Sequence, residues 1–197
     1  QLTKSGKVKS IIQTEICDFG VKGRVIADEE FLPFKKGSFD LIVSSLNLQH
    51  VNLIPQFLLQ VKDLLKDDGI FIASFFGEEN LSELAHVIFE TESEIYGGVS
   101  PRMSPTIQVK SAAHLIQKAG FGSPISDFEK IEVNYKEPLT LLKDLKMMGQ
   151  GNVMSKRSRK FFTKGFLKAL CEKYLEKYPE GGGVRATFEV VTSTGWK

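Results

Sequence analysis

Two nearly continuous apolar runs, Phe39–Ser45 (FDLIVSS) and Ile70–Phe76 (IFIASFF), flank a stretch of helical periodicity. Runs of this kind, with no polar residue at every second place, suit strands covered on both faces, as in a parallel sheet. Between them, in Asn52–Lys66, the residues Ile54, Phe57, Leu58, Val61, Leu64 and Leu65 share one helical face. Asn52 is the expected N-cap and Pro55 falls in the first turn. Asp67-Asp68-Gly69 then interrupts the pattern. Strand, helix and strand in this order close through a right-handed crossover, which makes the two strands parallel and the fold α/β.

The rest of the chain extends that unit. Lys7–Thr14 reads as a strand closing on Glu15, and Gly23–Ala27 as a second short strand. Helices are expected over Glu79–Tyr96, ended by Gly97-Gly98, and over Thr106–Ala119, closed by Gly120. Asp127–Tyr135 alternates like a strand with one wetter face. Helices follow at Glu137–Met148 and Ser158–Tyr178, the latter stopped by Gly181-Gly182-Gly183. Arg185–Thr192 is a last strand whose content favours the edge region of the sheet. No repeat or linker divides the chain, so residues 1–197 read as one domain, with lid or substrate segments around 79–105 and 137–180.

Composition narrows the class. Hydrophobic residues at 42% and charged residues at 25% argue against disorder or a fibre. A net charge of +2 demands neither nucleic acid nor an anionic membrane as partner. No apolar run reaches the roughly 20 residues of a membrane span, and the first residues carry no signal-peptide pattern. A bacterial cytoplasm is expected, with the mitochondrial matrix as the alternative. Cys17 and Cys171 are far apart and have no second ligand at metal spacing, so two buried reduced thiols are expected.

Ligands of an open α/β sheet bind beyond the carboxyl ends of its strands. Glu15 there can accept both ribose hydroxyls of a nucleoside, or serve as a solvated turn acid. Asp28 can take the exocyclic amine of adenine, or act as an N-cap or turn residue. Ser44 and Ser45 through His50 follow the third strand. His50 reads as a base or substrate contact, or as a ring that only packs. Arg102 and the Met147-Met148-Gly149 run are contacts for a carboxylate or a protein strand, or ordinary helix packing. Lys156–Lys160 is a dense basic run of the kind usually solvated. His86 and His114 lie within helices at no metal-ligand spacing, so no metal is expected.

The runs ADEEFLPFKKGSFDLIVSSLNLQHV (Ala27–Val51), LLKDDGIFIASFFG (Leu64–Gly77) and ATFEVVTSTGWK (Ala186–Lys197) resemble class I S-adenosylmethionine (SAM)-dependent methyltransferases of the type-11 group. GGVSPRMSP (Gly97–Pro105) and DLKMMGQGN (Asp144–Asn152) extend the likeness over nearly the whole chain. Within that group it is strongest to the mitochondrial complex I assembly factors that are arginine hydroxylases, with their α-proteobacterial relatives. Malonyl-acyl-carrier-protein O-methyltransferases are a more distant likeness.

The resemblance implies a Rossmann-like sheet flanked by helices and SAM as cofactor. It implies Glu15 as the ribose acid, Asp28 as the adenine-side acid with Glu29 beside it, and Ser44, Ser45 and Leu48 near the methionine part. Gln49, His50, Arg102 and Met148 fall on the substrate side. Relatives carry a first strand ending in D-x-G-x-G, and nothing before Glu15 matches it. Gln1–Gly6 resembles the tail of the helix after that strand. A gap in the middle of the sheet is therefore expected, from omitted upstream residues rather than exchange with a second copy, together with weak or absent cofactor binding by these residues alone. His50 stands where relatives usually have Trp. Three functions follow: methyl transfer to a small acid, acyl carrier or protein; arginine hydroxylation and assembly of a respiratory complex I subunit; or a non-catalytic binding module.

Overall fold

The computed structural model describes residues 8–18, 20, 24–104, 106–152 and 162–197. Two separate sheets organise them. The smaller pairs β1 (Gln13–Glu15) with β2 (Arg24–Ile26) in parallel. The larger contains β3 (Phe39–Ser45), β4 (Leu65–Phe76), β5 (Gly122–Tyr135), β6 (Pro179–Glu180) and β7 (Gly183–Trp196), in the order β3-β4-β7-β5 with β6 on β7. Five helices accompany them: α1 (Ile54–Leu64), α2 (Ser82–Tyr96), α3 (Val109–Lys118), α4 (Pro138–Met147) and α5 (Lys164–Lys177).

The strand–helix–strand unit forms as its pattern requires, with β3 and β4 parallel around α1. Asp67-Asp68-Gly69 breaks the ladder rather than the strand. Register jumps from Phe39 opposite Leu65 to Leu41 opposite Ile70, with Asp68 at φ +63° absorbing the excess chain. Asn52 does not cap α1. Leu53 holds that place, and the Asn52 backbone and side chain instead donate to Glu30 at 2.7 and 3.2 Å.

The last strand departs most from its expected place. β7 lies between β4 and β5, antiparallel to both, rather than at an edge. Burial explains it: Val184, Ala186 and Val191 are fully sealed, which only an inner strand with both faces covered allows. β5 takes the edge instead and starts earlier than its alternation suggested, at Gly122. The first strand is also shorter than expected, because its partner β2 offers only three residues. Lys7, Gly23, Gln1–Gly6, Pro105, Lys156–Lys160 and the start of the helix read from Ser158 lie outside the described residues.

Two cores occupy opposite faces of the larger sheet, by the two-residue period of its strands. Phe71, Ala73, Phe75 and Val191 face α1 and α3, where Phe57, Val61, Ile116 and Phe121 complete the cluster. Phe76, Val184, Ala186 and Phe188 face α2, α4 and α5, with Leu84, Leu141, Phe166, Leu170 and Tyr174. The segments expected to form a lid thus supply much of the second core. At Gly77, just past β4, a Cβ would sit 2.3 Å from Oε2 of buried Glu189 and would displace that carboxylate.

Cys17 corrects the expectation of two buried thiols. It is exposed in the chain just past β1, while Cys171 on α5 is half-buried, and burial pushes its thiol up. Among the described residues, no helix is long and apolar enough to cross a membrane.

Candidate functional site

The carboxyl ends of β1 and β2 lie side by side. Glu15 pairs with Ile26 across the ladder, and its carbonyl accepts the Ala27 N–H at 3.0 Å, so Asp28 lies two residues past the end of β2, beside the Glu15 tip. Glu15 Oε1 accepts from Arg24 Nη1 at 3.1 Å and from Gln13 Nε2 at 3.0 Å. Asp28 Oδ1 accepts the Glu30 N–H at 2.8 Å, a turn of the kind that fixes an Asp side chain at a loop start. Both carboxylates keep a second oxygen, and neither is sealed in the core: the Glu15 side chain is 29% exposed and Asp28 is exposed.

The turn after β2 is tied to the turn after β3. Glu29 Oε1 accepts from Asn47 Nδ2 at 2.8 Å, its carbonyl accepts from Gln60 Nε2 at 3.1 Å, and Gln60 Oε1 takes the Leu32 N–H at 2.8 Å. Glu29 therefore joins the two turns. Arg24, Asn47, Asn52 and Gln60 have no motif of their own, and only the pairing of distant turns exposes their roles.

Ser44 and Ser45 close β3 opposite Ala73 and Ser74. Leu46 then adopts φ +49°, with its N–H on the Ser74 carbonyl at 2.8 Å, and the chain enters a one-turn 3-10 helix at Leu48–His50. Leu48 is buried among the residues packed on α1, which leaves its backbone, not its side chain, for a ligand. Gln49 Nε2 donates to the Leu46 carbonyl at 2.7 Å and to Gln150 Oε1 at 3.2 Å. Gln49 Oε1 and His50 Nδ1 are buried and have no hydrogen-bond partner among the described residues. A buried acceptor left so costs about 1–3 kcal/mol, which a ligand donor would offset. Gln150, 101 residues from Gln49, was invisible to periodicity.

Arg102 is placed differently from its expected role. Its Nε lies 2.6 Å from Glu92 Oε1, with the two side chains 6% and 2% exposed, and its guanidinium stacks over Phe162 at 4.6 Å and Phe166 at 5.3 Å. Ser100 adds two donors to the same carboxylate at 2.7 and 2.8 Å. Burial pushes Glu92 up, but Ser100 and Arg102 outweigh it and hold the carboxyl below its ordinary range. Arg102 is thus an internal counter-ion on the floor of a 410 Å³ groove lined by Ala85, Phe89, Val99 and Met103. Asn152 Nδ2 pins the wall of that groove, donating to the carbonyls of Pro101 and Met103 at 3.0 and 3.2 Å. Met147 and Met148 are 85% and 48% exposed, so they do not fill the core. Met148 is available to a partner surface.

The sequence profile of a methyltransferase domain matches residues 7–73. Arginine-hydroxylase NDUFAF5, mitochondrial, of Mus musculus is 38% identical over 200 residues, covering 96% of this chain and 58% of its own. RP459 of Rickettsia prowazekii (strain Madrid E), which bears a methyltransferase name, is 32% identical over 157 residues, covering 80% of this chain and 69% of its own. The chain thus spans little more than half the length of the mouse protein. Among solved structures, the YcgJ protein from Bacillus subtilis superposes with a TM-score of 0.60 over 100% of this chain and 86% of its own, at 13% identity, a likeness of fold.

Proposed function

We infer the reaction from one premise: the chain belongs to the class I SAM-dependent methyltransferase family. It transfers the methyl group of SAM to an acceptor. The single observation that carries this reading is the pair of carboxylates, Glu15 and Asp28, on adjoining tips of parallel strands. SAM supplies an electrophilic methyl group on a sulfonium. The chain's residues fit its nucleoside: Glu15 would accept the ribose hydroxyls and Asp28 the adenine amine, each through an oxygen left by its internal partner. Glu29 ties the turn that carries Asp28 to the turn after β3, while Ser44, Ser45 and the Leu48 backbone border the methionine side. Gln49, His50 and Met148 border the acceptor. Alignment of acceptor and methyl supplies most of the rate, so few acid–base groups are required.

Titration calorimetry of the full-length protein with S-adenosylhomocysteine tests this. Glu15→Ala removes a charge-assisted pair of hydrogen bonds and should weaken binding roughly tenfold or more. Unchanged affinity in Glu15→Ala, with the circular dichroism of the wild type, would remove the nucleoside assignment.

A second reading is favoured by the 38% identity to a protein named as an arginine hydroxylase: hydroxylation of an arginine on, or assembly with, a respiratory complex I subunit. Mass measurement of such a subunit after incubation separates the two, one added methyl for the first and one added oxygen for the second. The compartment we propose is the bacterial cytoplasm, with the mitochondrial matrix accompanying the second reading.

A further inference from the structure

The geometry points to an acceptor substrate that presents N–H or O–H donors, and not a carboxylate, to the turn Leu48–His50. This rests on the reading of the same strand ends as a methyltransferase site. Gln49 has a fixed amide: Nε2 is committed to the Leu46 carbonyl at 2.7 Å and to Gln150 Oε1, so rotating the amide would set oxygen against oxygen. Its Oε1 is therefore the atom left over, buried and without partner among the described residues. His50 Nδ1, on the next residue, is buried and without partner in the same way. In the neutral ring with hydrogen on Nε2, Nδ1 is a second acceptor.

An unpaired amide oxygen in the turn after β3, beside a ring nitrogen that is an acceptor in its Nε2–H form, favours a donor and repels an anion. Their location fits the acceptor side of the reaction. The turn follows β3, whose end leads to Ser44 and Ser45, and Gln150 ties it to the chain after α4. That same chain, through Asn152, holds Pro101 and Met103 at the groove. The turn, the groove wall and the segment after α4 are thus linked by named hydrogen bonds. Among the acceptor classes open to a methyltransferase, amines, amides and alcohols carry the N–H or O–H donors these atoms call for, and an ionised carboxylate does not.

Nitrogen NMR on the full-length protein, saturated with S-adenosylhomocysteine and titrated separately with methylammonium, acetamide and acetate, tests this. The expected result is a saturable shift of the His50 ring nitrogens on adding methylammonium or acetamide and none on adding acetate. Gln49→Leu should weaken methylammonium at least tenfold while leaving S-adenosylhomocysteine affinity unchanged, and His50→Phe should do the same. A stronger response to acetate than to methylammonium would overturn the inference. So would the absence of any probe response when S-adenosylhomocysteine binds. Failure of S-adenosylhomocysteine to bind, with methylammonium still shifting His50, would instead remove the methyltransferase reading and leave the donor site standing.

Discussion

The two sheets are built to different standards. In β4 and β7, alternate side chains are sealed on opposite faces by α1 and α3 on one side and by α2, α4 and α5 on the other. In the β1–β2 ribbon, each strand has three residues, and Ile11, Ile12, Ile16 and Ile26 around it are about half exposed. Leu41 and Val43 of β3, on the side facing away from α1, are likewise 41% and 51% exposed. The β4–β7 part of the larger sheet therefore carries the packed core, while the ribbon presents the two acids proposed to hold the cofactor. Ligand sites drawn from the less stable part of a molecule gain stability from the ligand itself.

The contrast predicts a graded response. Phe71 is fully buried between Phe57 and Phe121, so Phe71→Ala should cost about 4 kcal/mol in chemical denaturation. A loss under about 1 kcal/mol would show the α1–α3 face to be loosely packed. Arg102→Ala leaves Glu92 buried without its cation and should cost about 3 kcal/mol, whereas replacing both by Leu should cost less.

Acid titrates the same pair. Because Glu92 is held below its ordinary value of 4.5 in the folded chain, its contribution is present above that pH and is lost as pH falls through the lower folded value. Stability should drop below about pH 4.5 in the wild type, and Glu92→Gln should flatten that fall. An identical acid limb in the variant would reassign the drop to other carboxylates. Smallest of all, Ile26→Ala on the ribbon should change global stability by less than about 0.5 kcal/mol. A change of the Phe71→Ala size would mean that the two sheets unfold as one unit.

The sequence made the centre of the fold legible and its borders less so. The β3–α1–β4 unit followed from apolar runs that no other element could use, and Phe39–Ser45 has the bounds its pattern suggests. The place of β7 was not legible, because strand composition reports burial but not which neighbours provide it. At the site, Glu15 and Asp28 were marked by their positions at strand ends. Arg24, Asn47, Gln60 and Gln150 were not, since each acquires its role from a partner brought close only by folding. Arg102 was legible as a special residue but not as an internal one. Its carboxylate partner, Glu92, lies on the helix before it, at a spacing no motif records.

A crystal structure of the full-length protein with S-adenosylhomocysteine bears most directly on the proposed cofactor site. Ribose hydroxyls are expected within about 3 Å of Glu15, and the adenine amine against Asp28. A nucleoside bound elsewhere, with both carboxylates still engaged only with Arg24, Gln13 and the Glu30 amide, would contradict it.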